Sequence, residues 1–286
     1  MSLTAIALIA AAAAMHAGWN LLSKQAAQAG AVAFTWMQAS LGTLIYAPVL
    51  AIYLAANHPH LRPLAAVFLA GTAVLHIGYF LLLQRGYAAG DLSQIYPLAR
   101  GSGLLLSSFT AIGLYRERPG LLGIAGILLV AAGVTMLSLP DGAAALRAGA
   151  LGYGLMTGMF IAGYTLWDKY AVANVRVPPL LEEFAAGAGV ALVLAAFAAR
   201  DRERMSALWR GYRWQVIGTA VLSPLAYILV LTALVFSPVS SIAPVREVSV
   251  LVGVLLGRRL LGEGSVARRL TAATAIAAGV TVIAVG

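Results

Sequence analysis

The sequence predicts an all-α integral membrane protein, with ten transmembrane helices in two inverted five-helix repeats. Three observations carry that expectation. The 286 residues are 61% apolar and only 10% charged, with a mean hydropathy of +0.90, against roughly 45–50% and about 25% in soluble chains. Turn signals and charges cut the chain into pieces near the ~20 residues that a bilayer core of about 30 Å asks of a helix. Short motifs recur at a spacing of 145–147 residues. A soluble domain of this size needs several times more surface charge, which excludes a soluble enzyme, a nucleic-acid reader and a disordered tail. The net charge of +9 comes from 17 arginines and two lysines that mostly flank apolar runs. There they hold helix ends against anionic headgroups, so the charge is no nucleic-acid footprint. The chain has no cysteine, which excludes disulfides, thiolate metal sites and thiol nucleophiles.

Spans are expected near 3–23, 33–56, 64–86, 92–115, 119–139, 149–171, 179–199, 213–236, 240–260 and 266–285. The first lacks a basic start and stays apolar to about Leu22, so it reads as a retained helix rather than a cleaved signal. The breaks are His58-Pro59-His60 with Arg62-Pro63, Gly90-Asp91, Arg116-Glu117-Arg118-Pro119 and Pro140-Asp141-Gly142. Pro178-Pro179, the run from Arg200 to Arg213, Ser237-Pro238 and the run from Arg258 to Arg269 complete them. The apolar runs do not alternate with period two, so barrel strands are not expected.

The repeat is read from several ordered matches. Ala17-Gly18-Trp19-Asn20-Leu21-Leu22-Ser23-Lys24 aligns with Ala162-Gly163-Tyr164-Thr165-Leu166-Trp167-Asp168-Lys169. Ala131-Ala132-Gly133-Val134-Thr135 recurs as Ala277-Ala278-Gly279-Val280-Thr281, Glu117 matches Glu263, and Ile95 and Pro97 match Ile242 and Pro244. The halves, 1–140 and 145–286, together form one membrane domain. Because five crossings is an odd number, the second half starts on the opposite side of the membrane, which relates the halves by a pseudo-two-fold axis in its plane. Secondary transporters recurrently use that architecture, with sites near the midplane between repeats. Twelve basic residues fall in loops on the side away from the termini and five on the termini's side. This tally favours both termini outside.

Ionisable groups within spans are functional candidates by default. Here they are His16, Lys24, His76, Arg85, Arg100, Asp168, Lys169, Arg246 and Glu247. Arg85, Asp168 and Lys169 lie near helix ends, where Lys and Arg can snorkel, and the simpler reading for all three is that ordinary position. Arg100 and Glu247 each follow a matched proline by three residues. They are expected to meet near the axis as a gate or as a static ion pair, with Arg246 as a competing local partner. His16, Asn20 and Lys24 form one polar stripe flanked by Trp19 and Ser23. Either it faces a wet cavity or it bonds to neighbouring helices. With His76, Tyr79, Tyr96, Arg100, Trp167 and Tyr227 it would line a cavity suited to an amphiphilic solute bearing an anionic group. Protons are a possible coupling ion, through His16, His76 or Glu247. Gly154-x-x-x-Gly158 and Gly253-x-x-x-Gly257 allow close helix packing. No Walker A, GxGxxG, HExxH, GxSxG or CxxC pattern is present, so neither an ATPase nor a metal or serine hydrolase is expected. No cofactor or metal is expected either.

The whole chain resembles the EamA-type branch of the drug/metabolite transporter superfamily. The resemblance is carried by Leu261-Gly262-Glu263 and Arg116-Glu117-Arg118, each preceding a Gly- and Ala-rich helix with Ala-Ala-Gly-Val-Thr. His16-Ala17-Gly18-Trp19-Asn20 and the segment from Asp91 through Tyr96-Pro97 to Arg100 add to it. It implies a multi-pass carrier of the bacterial inner membrane that moves small metabolites, often amino acids or related compounds, commonly outward. It also implies cytoplasmic termini, opposite to the charge tally. Helix one has no acidic residue like the coupling glutamate of the related small multidrug exporters, which leaves facilitated diffusion and exchange open. The expected protein is therefore a non-enzymatic, alternating-access carrier of small polar or amphiphilic metabolites. Its partners are its small-molecule substrate and the lipid bilayer, and monomer and homodimer both stand. Two other readings fit the same residues: an intramembrane enzyme on a lipid, using His16, His76 or Glu247 as acid or base, and a lipid-linked sugar flippase.

Overall fold

A computed structural model describes residues 2–138, 148–249 and 266–285. Among the described residues the regular structure is helical throughout, with no strand. The helices are α1 (Leu3–Gln25), α2 (Ala31–Asn57), α3 (Leu64–Ala89), α4 (Leu92–Leu114) and α5 (Gly120–Ser138). α6 (Ala148–Tyr170), α7 (Pro179–Ala198), α8 (Arg202–Phe236), α9 (Val239–Arg246) and α10 (Val266–Val285) follow. Six of these, α1, α2, α3, α5, α7 and α8, are long and apolar enough to cross a bilayer by length and composition. The set is that of a multi-pass membrane protein. Large apolar side chains such as Leu44, Ile52, Leu121, Leu192 and Trp214 stand on the outside of the bundle. In water that surface would be costly, whereas hydrocarbon accepts it.

Local chemistry sets the helix ends. Ser2 Oγ accepts from the Ala5 N–H at 3.2 Å to start α1, and Asp201 Oδ1 accepts from the Arg204 N–H at 3.1 Å to start α8. Pro179 opens α7 at its first position, where no N–H is needed. Helix α6 runs into one wide π turn, Ala171–Val175, that ends at Arg176 in the left-handed region. The span expected at 213–236 is the apolar part of a longer helix. α8 begins at Arg202 and changes direction at Tyr212, whose φ of −134° and ψ of 23° break the helical run. Arg202 to Gly211 is thus a charged segment set off from the apolar one. The span expected at 240–260 is described only as far as Ser249, with α9 ending at Arg246. The boundary between the halves at 140–145, Glu263 and the Gly253/Gly257 motif lie outside the described residues.

Glycines fix how the helices meet. Gly18 faces Leu222 and Gly218 faces Leu22, so α1 and α8 run antiparallel. Gly163 faces Leu75 and Gly71 faces Trp167, so α6 and α3 do the same. A Cβ on Gly126 would lie 2.8 Å from the Gly279 carbonyl oxygen, and one on Gly133 would lie 2.8 Å from that of Ala272, so α5 and α10 are antiparallel and nearly in backbone contact. A Cβ on Gly158 would lie 2.9 Å from the Ala99 carbonyl oxygen, which draws α6 against α4. The remaining large interfaces are α2 on α7, α3 on α7, α4 on α5 and α2 on α8.

Candidate functional site

The centre of the bundle is polar and aromatic, and it is assembled from α1, α3, α4, α6, α8 and the segment just after α9. Arg100 on α4 meets Glu247 there. Its Nε donates to Glu247 Oε2 at 3.1 Å, and its Nη2 lies 3.1 Å from Oε1, an ion-pair contact without hydrogen-bond alignment. The pair is buried, the two side chains being 3% and 1% exposed. Tyr96, one turn earlier on α4, shares a hydrogen bond of 2.9 Å with Ser249 and lies under the Arg100 guanidinium at 6.0 Å. The ion pair and the Tyr96–Ser249 hydrogen bond both join α4 to the chain after α9. Pro97 in α4 precedes Arg100 and Pro244 in α9 precedes Glu247, and each removes a backbone donor from its helix. Arg246 is also buried, and its Nε has no hydrogen-bond partner among the described residues. Glu247 therefore takes the distant arginine rather than its neighbour.

Beside this pair lies a nest of rings. His76 stacks on Tyr164 at 4.5 Å, and Tyr79, Phe80 and Tyr227 stand around it within 6.2 Å. Its Nδ1 lies 2.9 Å from the Thr72 carbonyl oxygen and 3.1 Å from the Thr72 hydroxyl. His76 is thus held by its own helix. The charges of Arg100 and Arg246 reach Tyr79 and Tyr164, so the nest and the ion pair form one neighbourhood.

The polar stripe of α1 divides between two tasks. Trp19 Nε1 donates to His16 Nδ1 at 3.0 Å, while His16 Nε2, also buried, has no partner among the described residues. Asn20 donates to the His16 carbonyl at 2.7 Å and accepts from the Tyr87 hydroxyl of α3. Lys24 Nζ donates to the carbonyls of Tyr87 and Gly90 at 2.8 and 2.7 Å, closing the C-terminus of α3. Lys169 at the end of α6 does the same for α8, donating to Leu234 and Ser237 at 2.7 and 2.9 Å. A cation at a helix C-terminus satisfies orphan carbonyls and opposes the dipole. Lys24 thus binds a helix end, and Asn20 links α1 to α3. Trp167 also stands apart from the centre. Its indole N–H donates to the Phe68 carbonyl at 2.9 Å, and its ring packs on Phe68 and Gly71 of α3.

A second polar group was not assembled from the sequence. Asp168 on α6 accepts from the Tyr227 hydroxyl at 2.7 Å, while its other oxygen has no hydrogen-bond partner among the described residues. Thr72 on α3 and Glu182 on α7 are its other polar neighbours. Both Glu182 oxygens are buried without a hydrogen-bond partner there. Glu183, 8% exposed, lines a crevice with Gln38, Thr43, Tyr46, Phe184 and Ser223 between α2, α7 and α8. Glu182 and Glu183 stand three and four residues after Pro179, where acids ordinarily complement a helix N-terminus. That ordinary reading hid them. The available signal was that only Arg176 lies close by in sequence.

No family model matches the chain, and no curated protein matches it. Among the solved structures it is similar to one described only as "Crystal structure of protein". The match has a TM-score of 0.75 and 16% identity, over 99% of this chain and 96% of that one. At that identity the likeness speaks for the fold alone. It runs the length of both chains, so the helices belong to one architecture seen in a solved structure.

The arrangement offers two kinds of chemistry at the centre. A neutralised cation–anion pair ringed by aromatics can orient a polar solute through hydrogen bonds and ring faces. The carboxyls beside it, with no basic partner among the described residues, can take up a proton.

Proposed function

We propose that this chain is an alternating-access secondary transporter of the bacterial inner membrane, of the EamA type in the drug/metabolite transporter superfamily. In this reading it has ten transmembrane helices in two inverted five-helix repeats. It carries small polar or amphiphilic metabolites, such as amino acids or related organic anions, outward. Residue-level correspondence supports the repeat. At offsets of 145 and 147, the contact of Gly18 with Leu222 maps onto that of Gly163 with Leu75, and Leu22 with Gly218 onto Trp167 with Gly71. The Lys24 cap on Tyr87 and Gly90 maps onto the Lys169 cap on Leu234 and Ser237. Inversion has its own support. α1 opposes α8, and α3 opposes α6, so if α1 and α3 run the same way, α6 runs against α1.

The observation that carries the transport reading is the Arg100–Glu247 ion pair. It is buried among the packed helices and joins equivalent positions of the two halves, where transporters of this architecture place their sites. Tyr79, Tyr96, Arg100, Tyr227 and the Asn20 edge of α1 are the substrate contacts of this reading. The test is counterflow of a solute panel in proteoliposomes. Arg100→Ala, destabilised but compared per folded, membrane-inserted molecule, is expected to lose most of the flux. Wild-type flux from that variant would sink the proposal.

A further inference from the structure

We propose that Asp168, Glu182 and Glu183 form a proton-carrying site, reached through the crevice at Glu183, that couples the carrier to a proton gradient. The coupling half rests on the transport reading above.

Three observations converge on it. Asp168 and Glu182 are fully buried and Glu183 nearly so. The ion pair among the described residues is between Arg100 and Glu247, not at these acids. Bringing an isolated carboxylate into such surroundings is costly, and three of them as mutual neighbours repel as well. As neutral acids they avoid both penalties.

The crevice leads from outside to the outermost of the three. The cavity in it has a volume of about 30 Å³. That is room for about two waters, at roughly 10–15 Å³ each. It is a width for water and protons rather than for an organic solute. Glu183 lines this space, and Asp168 and Glu182 lie within its electrostatic reach. From there Asp168 leads through its 2.7 Å hydrogen bond to Tyr227 in the ring nest.

Folding does not demand these acids. At the 145-residue offset Asp168, Glu182 and Glu183 correspond to Ser23, Met37 and Gln38. The first half makes the same helix contacts with uncharged residues.

The groups facing the site come from each helix around it. Tyr46 of α2 faces Glu183. α3 presents Thr72, with His76 bound to it. Tyr115 follows α4, Tyr164 lies one turn before Asp168, and Tyr227 comes from α8. Arg100, Arg246 and Glu247 stand beyond Tyr164. Lys169 points away, to the carbonyls that end α8.

The test uses the purified full chain in lipid, with Asp168→Asn, Glu182→Gln and Glu183→Gln, each checked for a monodisperse folded state. Infrared spectra at neutral pH read the carbonyl stretch of protonated carboxylic acids, which needs no transported solute. The wild type should show that band, and Asp168→Asn and Glu182→Gln should each diminish it. Counterflow with and without a pH gradient gives the second readout. Glu182→Gln should keep gradient-free exchange and lose the acceleration that a gradient gives the wild type. A band unchanged by all three substitutions overturns the site whether or not solute moves. A diminished band with gradient acceleration intact in Glu182→Gln overturns the coupling. If the band behaves as expected but the wild type moves no solute, the proton site stands and the transport reading alone falls.

Discussion

Removing one member of the Arg100–Glu247 pair leaves the other as an unpaired charge in the bundle. The two contacts at 3.1 Å and side-chain exposures of 3% and 1% place the pair among buried ion pairs. For these, loss of one partner costs about 3–5 kcal/mol, while joint replacement by apolar residues is roughly neutral or stabilising. At about 1.4 kcal/mol per tenfold, the smaller figure already shifts the folding equilibrium by about two orders of magnitude. Arg100→Met and Glu247→Met should each lower stability by that amount. The double variant should lie much closer to the wild type than the sum of the singles. Reversible unfolding in mixed micelles, followed by tryptophan fluorescence, closes the cycle. Single variants within about 1 kcal/mol of the wild type, or a double variant that costs the full sum, would refute the pairing.

Lys24→Met and Lys169→Met each remove two charge-assisted bonds from a helix C-terminus. Each should cost about 2–3 kcal/mol, with nearly additive effects in the double variant by thermal unfolding in detergent. Glu117 accepts from the Val239 and Ser240 N–H groups at 2.8 Å. Glu117→Ala should therefore cost about 1–2 kcal/mol, and Glu117→Gln, which retains one acceptor oxygen, should recover part of it. Gly126→Ala would drive a methyl to 2.8 Å from the Gly279 carbonyl and should cost about 1–3 kcal/mol. Gly152→Ala, with nothing within 4 Å, should be neutral or gain a few tenths from helix propensity. Equal melting temperatures for these two glycine variants would contradict the α5/α10 contact.

Apolar composition and span length made the helices legible, because a bilayer imposes both on the chain directly. The offset of 145–147 also pointed to the partner of Arg100, since equivalent residues of two symmetric halves can meet only at the axis. Arg246 was a plausible rival for Glu247 by adjacency, but neighbouring residues on a helix point about 100° apart. The fate of the α1 stripe was not legible. His16, Asn20 and Lys24 share a face, but sequence does not say whether that face meets water or the end of α3. The acids were missed for the converse reason. Glu182 stands in the first turn of α7 and Glu183 follows it, where sequence makes them ordinary, and only burial beside Asp168 makes them costly.

Under the proposed transport reading, symmetry would give the two polar groups different duties. If the halves exchange shapes during transport, a residue on the pseudo-axis meets equivalent neighbours before and after. Arg100 and Glu247 are related by the offset itself, so their contact can persist in both end states. In that reading it would act as a pivot that keeps the halves together, with the solute's polar contacts on it. A group off the axis has no such protection, because its surroundings in one state become those of its counterpart in the other. Asp168, Glu182 and Glu183 have the uncharged counterparts Ser23, Met37 and Gln38, so the exchange changes what surrounds the acids without creating a second acidic site. A difference in proton affinity between two states is what lets a proton gradient bias a conformational equilibrium. Groups that break the repeat can supply it, and under the proposed reading the acidic trio, with Ser23, Met37 and Gln38 as its counterparts, is such a group.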